Sequence, residues 1–87
     1  MSNVDELKKI IINQKVVIGT NQVIKRLKQG ALTKVFVASN CPEHTMKDIL
    51  HYTNISKIDL VTLDVPNSEL GIICKKPFFV STIGVLK

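Results

Sequence analysis

One stretch organises the rest of this chain: Val16-Val17-Ile18-Gly19-Thr20-Asn21-Gln22-Val23-Ile24-Lys25-Arg26-Leu27-Lys28. Its three β-branched residues at 16–18 favour an extended strand. Gly19 interrupts that run, and it permits a tight turn or a close approach of the backbone to a ligand. The residues that follow place apolar side chains at helical core spacing, namely Val23, Ile24 and Leu27. The stretch therefore predicts a short buried strand, a glycine turn and an amphipathic helix.

The start of that helix is a candidate site for an anion. Either Thr20 or Asn21 can cap the first turn. Asn21, Lys25 and Lys28 are spaced i, i+4 and i+7, so they share one face. Unpaired N–H groups and the helix dipole attract phosphate at such a position, and an amide can both donate to and accept from a base edge. The same pattern also fits an ordinary surface helix with solvated lysines, and the residues alone leave both interpretations open.

Length and charge restrict the class of protein. The 87 residues, of which 45% are hydrophobic, predict a single domain over 1–87 with one modest core. Because no apolar run approaches the roughly 20 residues of a membrane span, and the N-terminus lacks a signal-peptide pattern, we expect a soluble intracellular protein. The formal charge of +5 and the pI near 9.4 favour a polyanionic partner, most often nucleic acid.

Residues with metal-binding or catalytic potential form no recognisable site. Cys41 and Cys74 are far apart in sequence and outside any C-x-x-C spacing, so we expect reduced thiols and no sequence-recognisable zinc site. His44, Asp48 and His51 fall at i, i+4 and i+7, a spacing that a metal site or a solvated helix face would share. No further ligand supports the metal, and we expect none.

An enzyme is not indicated either. A His–Asp pair needs a nucleophile placed beside it, and nothing in the sequence marks one. Gly19 alone is neither a Walker loop nor a dinucleotide fingerprint, because no further glycine follows at the required spacing. We therefore predict no catalytic residues and no cofactor.

Along the chain, helical and extended patterns alternate with short connections. The predicted elements are a helix from Ser2 or Asn3 to about 13, the strand 16–18, the helix that ends at Gln29–Gly30, a strand at 34–39, a helix beginning at Pro42, a strand at 58–63, a short helix at 68–74 and a strand at 78–86. This order predicts an α/β domain in which helices cover a mainly parallel or mixed sheet.

Several loop residues stand out in that arrangement. Gly19 and Asn40 each follow a strand, so both loops are expected at one rim of the sheet, where ligands of open α/β sheets bind. The alternative for Asn40 is an Asx turn that caps the third helix. Gly71, inside a short helix, predicts a close backbone approach. Phe78 is either part of the core or free to stack on an exposed RNA base.

The sequence Gly19-Thr20-Asn21-Gln22-Val23-Ile24-Lys25 resembles the RNA-binding signature of the kink-turn-binding ribosomal protein superfamily. Segments 37–42, 48–52, 69–71 and 74–78 resemble its L-thirty-e branch, from the large ribosomal subunit of archaea and eukaryotes. The resemblance covers nearly the whole chain. It implies a three-layer α/β/α sandwich around a four-stranded mixed sheet, and one rim that binds a kinked internal loop of RNA.

The resemblance also implies a set of contacts. Sheared G·A pairs and the adjoining backbone would be met by Gly19, Thr20, Asn21 and Lys25. Asn40 would contact the RNA from the second loop. The third loop, which packs on an extruded base, would be lined by Ile73, Cys74, Lys75 and Phe78. With two helix-face residues added, the predicted RNA-binding set is Gly19, Thr20, Asn21, Gln22, Lys25, Lys28, Asn40, Ile73, Cys74, Lys75 and Phe78. Two positions depart from the family pattern. Gln22 stands where the archaeal multi-RNA branch usually has a glutamate, and Lys75 replaces a common glycine.

By this resemblance the chain is an RNA-binding structural protein of the large ribosomal subunit, and not an enzyme. Its expected partners are a ribosomal RNA kink-turn and neighbouring ribosomal proteins, with no membrane, and it is expected to be monomeric when free and cytoplasmic on the ribosome. One alternative is a kink-turn-binding paralogue that serves small guide ribonucleoproteins. Another is a small α/β protein that binds a phosphate or nucleotide at the helix following Gly19.

Overall fold

The computed structural model describes residues 3–87, with side chains from Asp5 onward. Its elements are α1 (Asn3–Asn13), β1 (Val16–Ile18), α2 (Thr20–Lys28), β2 (Leu32–Val37), α3 (Glu43–Ser56), β3 (Asp59–Thr62), α4 (Asn67–Ile73) and β4 (Thr82–Leu86). The order of helices and strands is the one that the sequence predicts. The predicted helix start at Ser2 lies outside the described residues.

The four strands form one mixed sheet in the order β1-β4-β2-β3. β4 is antiparallel to both β1 and β2, whereas β2 and β3 are parallel. Because β1 and β2 therefore run in the same direction, their carboxyl ends meet at the same edge of the sheet. The last strand of the described chain lies in the interior of the sheet and joins the two strands whose loops form that edge.

Two apolar clusters occupy the two faces of the sheet. Alternate residues of β2 separate them, since Val35 and Val37 face the helices α2 and α3 while Phe36 faces α1 and α4. All three side chains are fully buried, as a strand covered on both faces requires. The predicted three-layer α/β/α sandwich with a four-stranded mixed sheet is confirmed.

The boundaries of some elements differ from the prediction. β4 begins at Thr82, although an apolar run predicted a strand from Phe78. The reason lies in pairing: Thr82 is opposite Val37, the last residue of β2, so the earlier residues have no strand beside them. β2 likewise begins and ends two residues earlier than predicted. On α3, Leu50 is 45% exposed and so lies outside the buried face of that helix.

Three helices are followed by a residue in the left-handed backbone conformation, and this residue is a glycine in one case and a lysine in two. After α2 the left-handed residue is Gly30 (φ 67°), as the sequence predicts. After α3 and α4 it is a lysine, Lys57 (φ 57°) and Lys75 (φ 58°). At α4 the N–H of Lys76 donates to the carbonyl of Gly71 at 2.9 Å, which closes a Schellman turn. Within residues 3–87, no helix is both long and apolar enough to cross a membrane.

Candidate nucleic-acid interface

Three loops meet at the edge where β1 and β2 end. The N–H of Gly19 donates to the carbonyl of Thr82 at 3.0 Å, and the N–H of Ala38 donates to that of Ser81 at 2.8 Å. The segment that enters β4 thus holds the loop after β1 on one side and the loop after β2 on the other. We call this surface, formed by residues 19–22, 38–41 and 75–82, the rim. The predicted proximity of the loops containing Gly19 and Asn40 is confirmed.

Gly19 determines how α2 begins. It is the N-cap residue with φ 104°, a conformation that L side chains rarely adopt, although a Cβ there would meet nothing within 4 Å. The predicted cap by Thr20 or Asn21 is wrong, because no side chain caps α2 among the described residues. The Thr20 hydroxyl lies 3.4 Å from the Thr82 hydroxyl instead. The N–H groups of the first turn therefore remain available to an anion.

The outer face of α2 carries three exposed residues of the predicted set. Asn21, Gln22 and Lys25 are exposed, while Val23 and Leu27 are buried against the sheet. These side chains project from the first two turns and so lie beside the rim.

Lys28 is placed differently. It lies eight residues after Thr20, about 12 Å along the helix axis. Its Nζ lies 5.4 Å from the ring centroid of Tyr52 on α3. The structure therefore separates Lys28 from the other predicted contacts on α2 and gives its charge a partner within the protein.

Asn40 is joined to the start of α4. Its Oδ1 accepts a hydrogen bond from the backbone N–H of Asn67 at 2.8 Å, and its Nδ2 donates to Asn67 Oδ1 at 3.1 Å. The Asx cap of α3, the alternative considered for Asn40, does not form, because α3 begins after Pro42 without a side-chain cap. Asn67 also accepts from the N–H of Val80 at 3.2 Å through its carbonyl. Asn67 thus connects the loop after β2 with the segment that enters β4.

The sequence motifs did not indicate Asn67. Its partner Asn40 lies 27 positions away along the chain, and the elements between them include all of α3 and β3. A local pattern of capping or turn residues carries no signal for such a pair. The sequence shows only a neighbouring proline and the preference of asparagine for turns. Both features are equally typical of an ordinary helix start, so they do not indicate the pairing with Asn40.

The predicted residues of the third loop divide into buried and exposed ones. Cys74 is buried in the cluster that includes Leu7, and Ile73 packs against the same cluster. Burial raises the pKa of the Cys74 thiol, and the nearby charge of Lys76 opposes this shift. Only Lys75 and Phe78 of this group present their side chains to solvent.

Phe78 is held in its exposed position by Gly71. A methyl group at Gly71 would overlap the carbonyl of Phe78 and approach the Cα of Phe79 to 3.6 Å, so the loop can pack on α4 only where the side chain is a hydrogen. The predicted close backbone approach at Gly71 is confirmed. Phe78 itself is 54% exposed, which removes the interpretation of this residue as core.

The lysines near the rim have no carboxylate partner in the part of the chain that the structure describes. The ion pairs found there join Lys34 to Glu6 at 2.7 Å and Lys47 to Glu43 at 3.5 Å, and neither pair includes a residue of the rim. Lys25 and Lys75 are exposed and belong to neither pair. The rim therefore offers exposed cations that could contact a phosphate backbone.

The residues considered for a metal do not form a site. His44, Asp48 and His51 are all exposed on α3, and the His51 ring packs edge-on against Tyr52 with centroids 5.3 Å apart. Over residues 3–87 no group of three or more potential ligands lies close enough to hold a metal ion.

Comparison with known proteins places the chain. The sequence profile of the ribosomal protein L7Ae/L30e/S12e/Gadd45 family matches residues 3–87. The chain belongs to this family. The family resemblance noted in the motif around Gly19 is thereby confirmed.

Two similar curated proteins come from archaea. The large ribosomal subunit protein eL30 of Methanococcus vannielii is 44% identical over 72 residues, which cover 83% of this chain and 69% of that protein. The protein of the same name from Sulfurisphaera tokodaii is 41% identical over 81 residues, covering 93% and 76%. A solved structure of a Bacillus halodurans protein of unknown function has a TM-score of 0.83 at 24% identity and covers 97% of this chain and 83% of its own. That likeness concerns the fold alone.

Proposed function

We propose that this protein is a non-catalytic, RNA-binding component of the large ribosomal subunit, and that its rim recognises a kinked internal loop of RNA. The observation that carries the proposal is the rim itself, where three loops are hydrogen-bonded into one surface beside an uncapped helix start and unpaired lysines. The archaeal relatives named eL30 support the assignment to the large subunit. They favour it over a role in small guide ribonucleoproteins.

Capture of the RNA backbone is electrostatic in this proposal. The N–H groups at 20–22 and the ammonium group of Lys25 bind phosphates, which releases counterions from the RNA. Lys75 contributes a second cation from the opposite side of the rim. These contacts fix the orientation of the RNA and carry no sequence information by themselves.

Selectivity comes from bases outside regular pairs. The deep groove of an A-form duplex is closed to side chains, whereas a kinked loop exposes base edges and faces. Asn21 and Gln22 each offer an amide donor and an amide acceptor to such edges. Phe78 stacks on an extruded base. The buried thiol of Cys74 leaves the backbone of that residue as its means of contact.

The partners and location follow from the same proposal. A protein that binds a ribosomal RNA kink-turn acts on the ribosome in the cytoplasm, beside other ribosomal proteins. It needs no catalytic residue and no cofactor for this role. We propose that it is a monomer when free, because its two apolar clusters are each covered by two helices.

A gel-shift titration tests the proposal at physiological salt with two RNAs, one containing a kink-turn and one a duplex of matched length and composition. We expect strong preference for the kinked RNA, and we expect Asn21→Ala to reduce that preference without reducing stability. Equal and salt-sensitive binding to both RNAs would contradict it. Competition by free ATP would instead favour a nucleotide site at the start of α2, and preference for a guide RNA over a large-subunit fragment would favour the guide ribonucleoprotein.

A further inference from the structure

An apolar cleft lies where the outer side of α4 meets segment 76–79 of the rim. Its volume is about 300 Å³, and its lining residues are Ser68, Ile72, Lys76, Pro77, Phe78 and Phe79. Ile72 is 75% exposed and Phe79 is 72% exposed. Neither belongs to the two clusters that form the core. Large apolar side chains are thus brought together at the surface without contributing to the core.

The walls of the cleft are fixed before any ligand arrives. Ser68 and Ile72 are four residues apart on α4, so they form one wall along a single helix face. The other wall is the segment 76–79, which packs on Gly71 and begins with the Schellman turn that closes α4. Binding to such a preformed surface has a small cost in conformational entropy.

Among the residues that line the cleft, the one charged side chain is a cation, and the exposed Glu69 of α4 lies outside this lining. Lys76 lines the cleft directly, and Lys75 precedes it in an exposed position. No aspartate or glutamate is among the lining residues. An aromatic and aliphatic surface beside a cation is the combination by which proteins bind a base together with its phosphate.

The size of the cleft favours one flat group. Its volume is at the lower end of ligand pockets, which hold about 300–1,000 Å³. A partner helix would need a longer groove for anchors at i, i+3, i+4 and i+7. The cleft also borders the rim at both walls, since Ser68 follows Asn67 and Phe79 precedes Val80, and those two neighbours are hydrogen-bonded at 3.2 Å.

From these features we propose that the cleft binds a second unpaired nucleobase, which packs between Ile72 and Phe79 while Lys76 binds its phosphate. Phe78 lines the cleft as well and separates this base from the neighbouring one on which it stacks at the rim. The proposal rests on the proposed function, because an RNA strand that leaves the rim passes the cleft. It assigns base contacts to Ile72 and Phe79, which the motif around Gly19 does not include.

The test measures affinity for the kink-turn RNA with Phe79→Ala and, separately, Ile72→Ala. Loss of one base stack predicts about five- to hundredfold weaker binding. Ile55→Ala, at a side chain 65% exposed on α3, is the matched control and should bind as the wild type does. Because both cleft residues are exposed, we expect unchanged circular dichroism for each variant. Ile72→Ala also places a strong helix former in α4 and serves if Phe79→Ala fails to fold.

A set of RNAs identifies the base. Each unpaired nucleotide is replaced in turn by an abasic one, and one abasic RNA should bind wild type and Phe79→Ala equally. Unchanged affinity of the cleft variants, with the wild-type preference for kinked RNA intact, overturns the cleft and leaves the proposed function standing. A dimer that Phe79→Ala abolishes, again with unchanged RNA affinity, overturns it by assigning the cleft to a second copy. Equal wild-type binding to kinked RNA and duplex overturns both proposals.

Discussion

Two lysines hold a backbone conformation that usually belongs to glycine. Lys57 and Lys75 both follow a helix at φ near 57–58°, where an L side chain costs about 1–2 kcal/mol. Glycine would remove that cost but lose more conformational entropy on folding, about 0.5–1 kcal/mol. The two positions are alike in conformation and differ in place, because only Lys75 lies on the rim. They form a matched pair for separating stability from RNA binding.

For Lys75→Gly we expect the free energy of unfolding to rise by a few tenths to about 1 kcal/mol, while RNA affinity falls because one cation is lost. Urea unfolding and a salt series of RNA titrations measure the two effects. Lys57→Gly should give the same gain in stability with unchanged RNA affinity. Equal affinity losses in both variants would show that net charge, and not the position of Lys75, is responsible.

The roles of individual residues were predicted correctly where nearby residues in the sequence indicate them. Gly19 has a positive φ that L side chains rarely adopt, Gly71 leaves space for the backbone of Phe78, and the surrounding residue types indicate both positions. Thr20 and Asn40 were assigned the wrong caps for a physical reason: their hydrogen-bond partners, Thr82 and Asn67, are distant in sequence. A polar side chain near a helix start has several possible partners, and tertiary contacts select among them.

Among the elements, α2 determines most of the rim's chemistry. Its buried face is set by Val23 and Leu27, so Lys25 is directed outward close to the uncapped first turn. We expect Lys25→Ala to weaken RNA binding and to make the salt dependence shallower by about one counterion. The control is Lys8→Ala on α1, which removes the same charge from the other helical layer. An unchanged salt slope would contradict a phosphate contact at Lys25.

The hydrogen bonds of Asn67 couple α4 to two loops. Asn67→Ala removes the acceptor of Asn40 Nδ2 but leaves the backbone N–H that donates to Asn40 Oδ1. We expect about 1 kcal/mol less stability. The complex with RNA should dissociate faster at an unchanged salt slope, because the loops lose alignment and no charge changes. Stopped-flow kinetics at two salt concentrations measure both quantities.

Asn67→Asp keeps the acceptor for Asn40 Nδ2 and is therefore the conservative variant. The link between the two loops is measured as the protection of the Val80 amide against hydrogen exchange. Restored protection in Asn67→Asp, with loss in Asn67→Ala, is the result expected for a positioning role. If Asn67→Ala dissociates from RNA at the wild-type rate, the two loops do not need this link.

The start of β4 shows where element prediction fails. Phe78 and Phe79 have high strand propensity and read as the beginning of the last strand. They form a loop because a strand needs a neighbour, and β2 ends opposite Thr82. The same loop carries the cleft and part of the rim. The sequence therefore predicted the residue types of the site but not the shape that presents them.

At the scale of the whole molecule, the two cysteine thiols make the stability of the fold depend on pH. Burial raises the pKa of Cys74 despite the charge of Lys76, and burial raises that of Cys41 against its hydrogen bond with Thr82. When a thiol loses its proton less readily in the folded protein than in the unfolded chain, its neutral form stabilises the folded state. That stability is present below the ordinary thiol pKa of about 8.5 and is lost as pH rises through the raised value.

We therefore expect the free energy of unfolding to decrease between pH 8 and pH 10, as measured by urea titration. Cys74→Ala should lower stability at both pH values because it leaves a cavity, and the decrease between them should be smaller than in the wild type. An equal decrease in the variant would assign the pH dependence to other groups, such as the lysines.

The interior position of β4 has a consequence for synthesis. β1 and β2 are made first, yet they have no hydrogen bonds to each other and are joined only through a strand that follows them by more than forty residues. Until residues 81–86 have been made, neither the four-stranded sheet nor the bonds from Gly19 to Thr82 and from Ala38 to Ser81 can exist. Under the proposed function, the polypeptide can therefore bind RNA through the complete rim only after β4 has left the exit tunnel.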